Sequence, residues 1–409
     1  MSEIRKTIVI IGGGPTGLMA AQHLSLNKDH DVHVYDQKPS VGRKFLIAGR
    51  GGLNLTHSED LDPFLKKFGP SEGFMTPFIQ AFSPSDVQDW AADLGIETFI
   101  GSSGRVFPKD MKATSLMRAL TKRLTAQGVT FHLKHRLTGF DTKQNFRFVD
   151  GDGSNITVAA DAALFAFGGA SYSHLGSTGE WTSVLTDQNI KPFKAINCGF
   201  DVNWSHILLE KFEGQPIKNI ALSFQGETAR GDLVLAKYGL EGGTIYALSR
   251  ALTHAFEKDG SVSMQMDLRP DMALEQIKQK LSAPRKKQSL SSFLKKRLHF
   301  SPLETALLRE FTHKNADQTP NALSIAIKNL KVTLTAPRPI TRAISTSGGL
   351  ALDMVDDTLM LKSHPGWFAA GEMLNWDAPT GGYLLQGCFS TGMAAAKGIE
   401  GWLSKLRTN

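Results

Sequence analysis

The stretch KTIVIIGGGPTGLMAAQHLSLN, residues 6–27, decides the fold. KTIVII is rich in β-branched residues and has no polar alternation, as expected of a strand covered on both faces. Gly12, Gly14 and Gly17 follow in the spacing GxGxxG, and LMAAQHL then reads as a helix. Pro15 and Thr16 stand at its start, where a proline costs no hydrogen bond. Gly12 permits a tight turn, Gly14 lets the backbone approach a pyrophosphate, and Gly17 lets the helix pack on the sheet. The helix N-terminus offers free N–H groups and a positive dipole end to phosphates. A lone GxGxxG is weak evidence. This one follows a strand, opens a helix, and precedes a second strand, HDVHVYDQ at 30–37. Asp36, at the end of that strand, is placed to accept hydrogen bonds from ribose hydroxyls. The pattern predicts an α/β, dinucleotide-binding Rossmann domain.

Immediately after the acid comes GRKFLIAGRGGLNLTH, residues 42–57, with three basic residues and repeated glycine. It reads as a loop too glycine-rich for a helix, either a solvated surface or a cradle for an anion. An NAD-only domain rarely needs such a loop there, whereas extended FAD runs its pyrophosphate, ribityl chain and ring over the sheet edge. On that reading Arg43 and Lys44 serve the pyrophosphate or ribityl region. Gly49, Arg50, Gly51, Gly52 and Asn54 lie toward the ring.

Further along, residues 84–94 and 114–128 carry helical periodicity. Residues 129–141 and 144–167 read as strands, with DGDGS at 150–154 as a hairpin turn. From 191 the character changes to short antiparallel strands, and from 272 to 330 it is helical and basic. The expected organisation is a Rossmann domain at 1–190 and 340–409. It is interrupted by a β-barrel-like insertion at 191–265 and 330–339, which carries a helical basic subdomain at 266–329.

The chain of 409 residues has net charge +7, compatible with an anionic cofactor, substrate or RNA. Its two cysteines, Cys198 and Cys388, form no CxxC pair, so neither a dithiol relay nor a cysteine zinc site is expected. Both read as core thiols. The apolar run at the N-terminus is too short for a signal-peptide core, and no run approaches a membrane span, so the expectation is a cytoplasmic protein with no metal, no membrane partner and no DNA partner. No second GxGxxG occurs in the middle region. A nicotinamide donor, NAD(P)H, if used, must visit a flavin transiently or enter a site that no motif marks.

Several stretches together carry a resemblance: IIGGGPTGLMAA (10–21), GRKFLIAGRGGLNLTH (42–57), FAFGGASYSHLGSTGEW (165–181), TSGGL (346–350) and FAAGEMLNWDAPTGGYLLQGCFSTGMAAA (368–396). In this order they are similar to motifs of the HI0933-like (BaiN/YhiN-like) flavoproteins. The family's usual loop reads GRKLLISGGGRCN; AGRGGLN here moves the arginine and lacks the cysteine, as in a variant subfamily. The resemblance implies a glutathione-reductase-like FAD-binding Rossmann domain with a β-barrel-like insertion and helical subdomain. It assigns Gly12, Gly14, Gly17 and Asp36 to the ADP half, Gly168 and Gly169 to a second flavin motif, and Gly371 and Glu372 to the ribityl chain. Gly382, Tyr383 and Leu384 open the last helix, whose positive end would favour negative charge on a reduced ring. The implied activity is hydride transfer through FAD, with reduction of an activated C=C bond as the leading reading. Rivals are oxidation of an amine or alcohol, and binding and modification of a structured RNA. No catalytic residue is fixed; Tyr172, His174 and Tyr383 are candidate proton donors.

Overall fold

The computed structural model describes residues 5–48, 52–312 and 317–408. The chain divides into two compact units, Met1–Lys194 with Ser345–Asn409, and Ala195–Ile344.

The first unit is built on a five-stranded parallel sheet. Its order is Trp367–Ala369, Ala162–Phe165, β1 (Lys6–Ile11), β2 (His30–Asp36) and Thr130–Leu133. β1 pairs with β2 on one side and with Ala162–Phe165 on the other. The connection through α1 (Pro15–Leu24) and the later strand Thr130–Leu133 therefore extend the sheet from β1 in one direction, while Ala162–Phe165 and Trp367–Ala369 add on the opposite side. That reversal opens a crevice at the carboxyl ends of the strands, where α/β sheets hold ligands. Ile8, Val9 and Ile10 are fully buried, as are Ala163, Leu164 and Phe165, which explains the unbroken apolar runs. The C-terminal helix, Tyr383–Thr408, packs along α1 within the same core.

Two expectations need correction. The stretch 129–141 is not one strand: Lys134 takes φ +58°, and the chain leaves the parallel sheet to form Arg136–Phe140 in a separate antiparallel sheet with Phe146–Val149 and Asn155–Val158. DGDGS does close that last hairpin, with the Asp150 N–H donating to the Ser154 carbonyl. The stretch 42–57 is not loop throughout, because Arg43–Ala48 is a short helix, α2. RKFLIA contains no glycine, and Phe45 is buried in the core with Leu46 packed against it, so the glycines flank the helix without breaking it.

The second unit holds a seven-stranded antiparallel sheet around the hairpin Pro216–Phe224/Glu227–Ala236. Leu330–Leu334 pairs with Val262–Asp267 at one end of the strand order, and Ala336–Pro337 pairs with Phe200–Asp201 at the other. One continuous segment therefore occupies both ends of the sheet, which curls it. The helices Leu274–Leu281, Leu290–Leu298, Pro302–Phe311 and Pro320–Lys328 share one hydrophobic core with this sheet. Among the described residues, no helix is long and apolar enough to cross a membrane.

Candidate functional site

The turn after β1 is fixed by crowding at two glycines and left open at the third. Gly12 has φ +118°, and a Cβ there would stand 2.1 Å from the Ala166 carbonyl oxygen. At Gly17 a Cβ would stand 2.0 Å from the Gly12 oxygen. Gly14 is the N-cap of α1 with φ −84° and ψ −178°, ordinary extended backbone, and a Cβ there would meet nothing within 4 Å. The chain's own packing does not require glycine at 14. The space over the helix N-terminus is open, and with Pro15 in the first position the nearest free donors are the N–H groups of Thr16 and Gly17.

This space belongs to a cavity of about 270 Å³ at the carboxyl edge of the sheet. Its wall takes Gly12–Thr16 from the turn, Asp36 from the end of β2, Arg43 and Lys44 from α2, Gly168 from the turn after Phe165, and Glu372 and Cys388 from near the C-terminus. Residues separated by over 300 positions thus meet at one crevice. Asp36 accepts the N–H of Gly13 on Oδ2 at 3.0 Å and that of Lys38 on Oδ1 at 2.8 Å. Burial pushes its carboxyl up, and the two amides and the charges of Lys38 and Arg43 draw it partly back.

On the wall Lys44 Nζ donates to Glu372 Oε2 at 2.7 Å and to Ser171 Oγ at 2.6 Å. The other Glu372 oxygen accepts the Thr346 N–H at 3.1 Å. The two ionic side chains are 26% and 11% exposed, so the pair is largely desolvated. Arg43 Nε and Ser177 Oγ, also on the wall, are buried with no hydrogen-bond partner. Burial and then the Glu372 charge push the Cys388 thiol up to about 12, which keeps it protonated. Cys198, in the second unit's core, is likewise pushed up to about 11 by burial and then Glu241. Neither thiol is a ready nucleophile.

Among the described residues, the remaining sequence candidates are not in the wall of this cavity. Gly17 lies in the first turn of α1 against Gly12, Gly169 beside Thr346, and Gly371 against Thr16. Gly52 stands near Met111, and Asn54 Oδ1 is buried without a partner. Gly49, Arg50 and Gly51 lie outside the described residues. Gly382, Tyr383 and Leu384 start the C-terminal helix, with Gly382 against the Thr56 backbone. Tyr383 stacks on His57 at 5.3 Å, and its hydroxyl donates to Glu59 Oε1 at 2.5 Å. Burial and then the Glu59 carboxylate raise the phenol above its ordinary range. Tyr172, at φ +58°, and His174 face each other at 6.0 Å in the turn after Gly169. Sequence reading missed Ser171 and Ser177, although both lie in the quoted 165–181 stretch. It also missed the wall from His135 to Thr138, which belongs to none of the motif stretches.

The model of the HI0933-like protein Rossmann domain matches residues 6–398. The 3-dehydro-bile acid delta(4,6)-reductase of Clostridium scindens is 23% identical over 406 residues, covering 95% of this chain and 98% of that protein. The ribosomal RNA dihydrouridine synthase of Escherichia coli is 23% identical over 404 residues, covering 96% and 97%. Among solved structures, the 3-ketosteroid delta1-dehydrogenase of Sterolibacterium denitrificans superposes with a TM-score of 0.52 at 12% identity, covering 97% of this chain and all of that one. At that identity the likeness concerns the fold.

Proposed function

We propose that this chain, which belongs to the HI0933-like protein family and is an FAD-dependent oxidoreductase, reduces a C=C bond conjugated to a carbonyl, the bound flavin carrying the hydride from NAD(P)H to the substrate. The observation that carries the reading is the open N-cap at Gly14. The chain's own atoms leave that space open, and a pyrophosphate on the α1 N-terminus is what the geometry suits. The wall fits the same group: Arg43 Nε and Ser177 Oγ lack partners, and each gains an acceptor or donor from a phosphate or a sugar hydroxyl. Asp36 keeps lone pairs for ribose hydroxyls. Gly12, Pro15, Thr16 and Gly17 shape the turn, Lys44 and Glu372 border the ribityl region, and Gly168, Gly169 and Gly371 bring backbone close.

The direction of the chemistry is supported by two relatives whose names describe the same change. A delta(4,6)-reductase and a dihydrouridine synthase each saturate a C=C bond. Such a reduction needs a hydride on one carbon and a proton on its neighbour. Tyr383 Oη holds its proton through neutral pH, because burial and Glu59 both oppose ionisation. We assign it the proton-holding role at the mouth of the C-terminal helix. The free N–H groups at Gly382, Tyr383 and Leu384 would favour negative charge beside them.

Anaerobic mixing of the holoprotein with NADH and NADPH separately tests the reading. Bleaching of the flavin by either supports a reductase. No bleaching by either, with bleaching by an amine or alcohol, would replace it with an oxidase.

A further inference from the structure

Tyr383 is buried, and among the described residues its hydroxyl has one hydrogen-bond partner, Glu59 Oε1 at 2.5 Å. A phenol that gives its proton away needs two further things from its surroundings. A positive charge must meet the anion left on the oxygen, and a route must bring the next proton in from solvent.

His57 is stacked on the Tyr383 ring but serves neither purpose. Its Nδ1 accepts the Glu59 N–H at 3.1 Å, and its Nε2 donates to the Ser103 carbonyl at 2.9 Å. Both nitrogens are committed to backbone groups, so in this arrangement the ring is the neutral tautomer and has no proton to give the phenol.

Arg105 supplies the charge. It opens the strand Arg105–Pro108 and stands opposite His57 in the pairing with Thr56–His57. A Cβ on Gly381 would meet the Tyr383 ring at 3.1 Å and Arg105 Nε at 3.8 Å, so the guanidinium and the phenol flank one point just before the C-terminal helix. The arginine is half-buried and has no acidic partner among the described residues. Burial and then Glu59 push the ionisation of the phenol up, and the Arg105 charge draws it back.

Glu59 supplies the route. Its side chain is 22% exposed, whereas Tyr383 is 5% exposed. The carboxylate therefore touches both the buried hydroxyl and water.

We propose that Arg105 and Glu59 are positioning residues for proton delivery by Tyr383: Arg105 holds the phenolate that forms when the proton leaves, and Glu59 returns a proton to it from solvent. This assignment rests on the reductive reading of Tyr383 given above. The Tyr383 O–H bond breaks as a C–H bond forms on the substrate carbon beside the one that takes the hydride. The phenolate then takes a proton from water through the Glu59 carboxyl group, which ends unchanged. The step is proton transfer alone, with nothing oxidised or reduced in it.

Two measurements test the proposal, one of them without turnover. The chain has five tyrosines, so Tyr383 is followed as the near-ultraviolet phenolate difference between each holoprotein and its Tyr383→Phe counterpart. Glu59→Gln keeps an acceptor oxygen beside the phenol and removes the charge, so the Tyr383 ionisation should fall toward the ordinary phenol range near pH ~10. Adding Arg105→Gln in that background should raise it again, and Arg105→Lys should not. The second measurement is anaerobic reoxidation of the reduced holoprotein by cyclohexenone. A general acid is worth about 10²–10⁴-fold, and Arg105→Gln should slow reoxidation at least roughly tenfold, with Arg105→Lys restoring most of the rate. The FAD content of each variant reports whether it has folded. An ionisation that does not move when Glu59 or Arg105 is changed would overturn the proposal and leave Tyr383 as the donor. So would reoxidation slowed by Tyr383→Phe but not by Arg105→Gln. Reoxidation that Tyr383→Phe does not slow would overturn the donor assignment and the proposal together.

Discussion

Replacing Gly14 with valine separates the needs of the fold from those of the cofactor. Position 14 has φ −84° and ψ −178°, which valine adopts without strain, and a Cβ there meets no atom within 4 Å. The remaining cost to the chain is a poorer N-cap, about 1 kcal/mol. The cost to FAD is much larger. The branched side chain fills the space over the α1 N-terminus and pushes the pyrophosphate off the N–H groups of Thr16 and Gly17. Two charge-assisted hydrogen bonds at about 1.5–3 kcal/mol each amount to about 3–6 kcal/mol. That is a roughly 10²- to 10⁴-fold weaker affinity. The assay is FAD released on denaturation, quantified by chromatography, beside far-UV circular dichroism and urea unfolding of the apo forms. The variant should be folded, nearly as stable as apo wild type, and colourless. Gly17→Ala is the contrast: its Cβ would stand 2.0 Å from the Gly12 oxygen, so it should destabilise the apo chain itself. A Gly14→Val protein with normal FAD content would refute the assignment of the turn.

Other outcomes follow from the wall and its surroundings. Lys44→Met leaves Glu372 buried without its cation and should cost about 3–5 kcal/mol in urea unfolding of the apo protein, with much of it restored by adding Glu372→Gln. His132 is held down to about 4 by burial, then by His33 and His135; a base with a lowered folded pKa favours the fold above its unfolded value of about 6.5 and loses that advantage as pH falls toward 4. His132→Phe should therefore narrow the difference in urea midpoint between pH ~7 and pH ~4.5. Because Tyr383 is raised, it should contribute no ionisation to a pH–rate profile below pH ~10, and Tyr383→Phe should slow reoxidation of the reduced protein by substrate while leaving its reduction by NAD(P)H unchanged.

The β1–turn–α1–β2 unit was legible because every signal in it is local. Strand composition, glycine spacing, Pro15 and Asp36 all fall within 31 consecutive residues, and each has a short-range cause. The apolar run at Ala162–Phe165 was legible as a covered strand, but nothing in it announces β1 as its neighbour. Likewise Lys44 and Glu372 were each singled out, yet their ion pair, 328 positions apart, depends on the crevice that forms only when the sheet assembles. Tyr383 and Glu59 meet in the same way. The short helix Arg43–Ala48 was hidden by counting glycines over the whole stretch, when the six residues that fold contain none. Arg136–Phe140 was misread as a continuation because a single left-handed residue, Lys134, redirects the chain without a glycine or proline to mark it.

The central claim concerns what takes the hydride. Holoprotein reduced anaerobically, then mixed with a conjugated enone in a stopped-flow spectrometer, measures it directly. The account predicts rapid return of the oxidised flavin absorbance, with one equivalent of saturated ketone formed per flavin. Reduced flavin that ignores enones, is reoxidised rapidly by oxygen, and is regenerated by an amine or alcohol would contradict it.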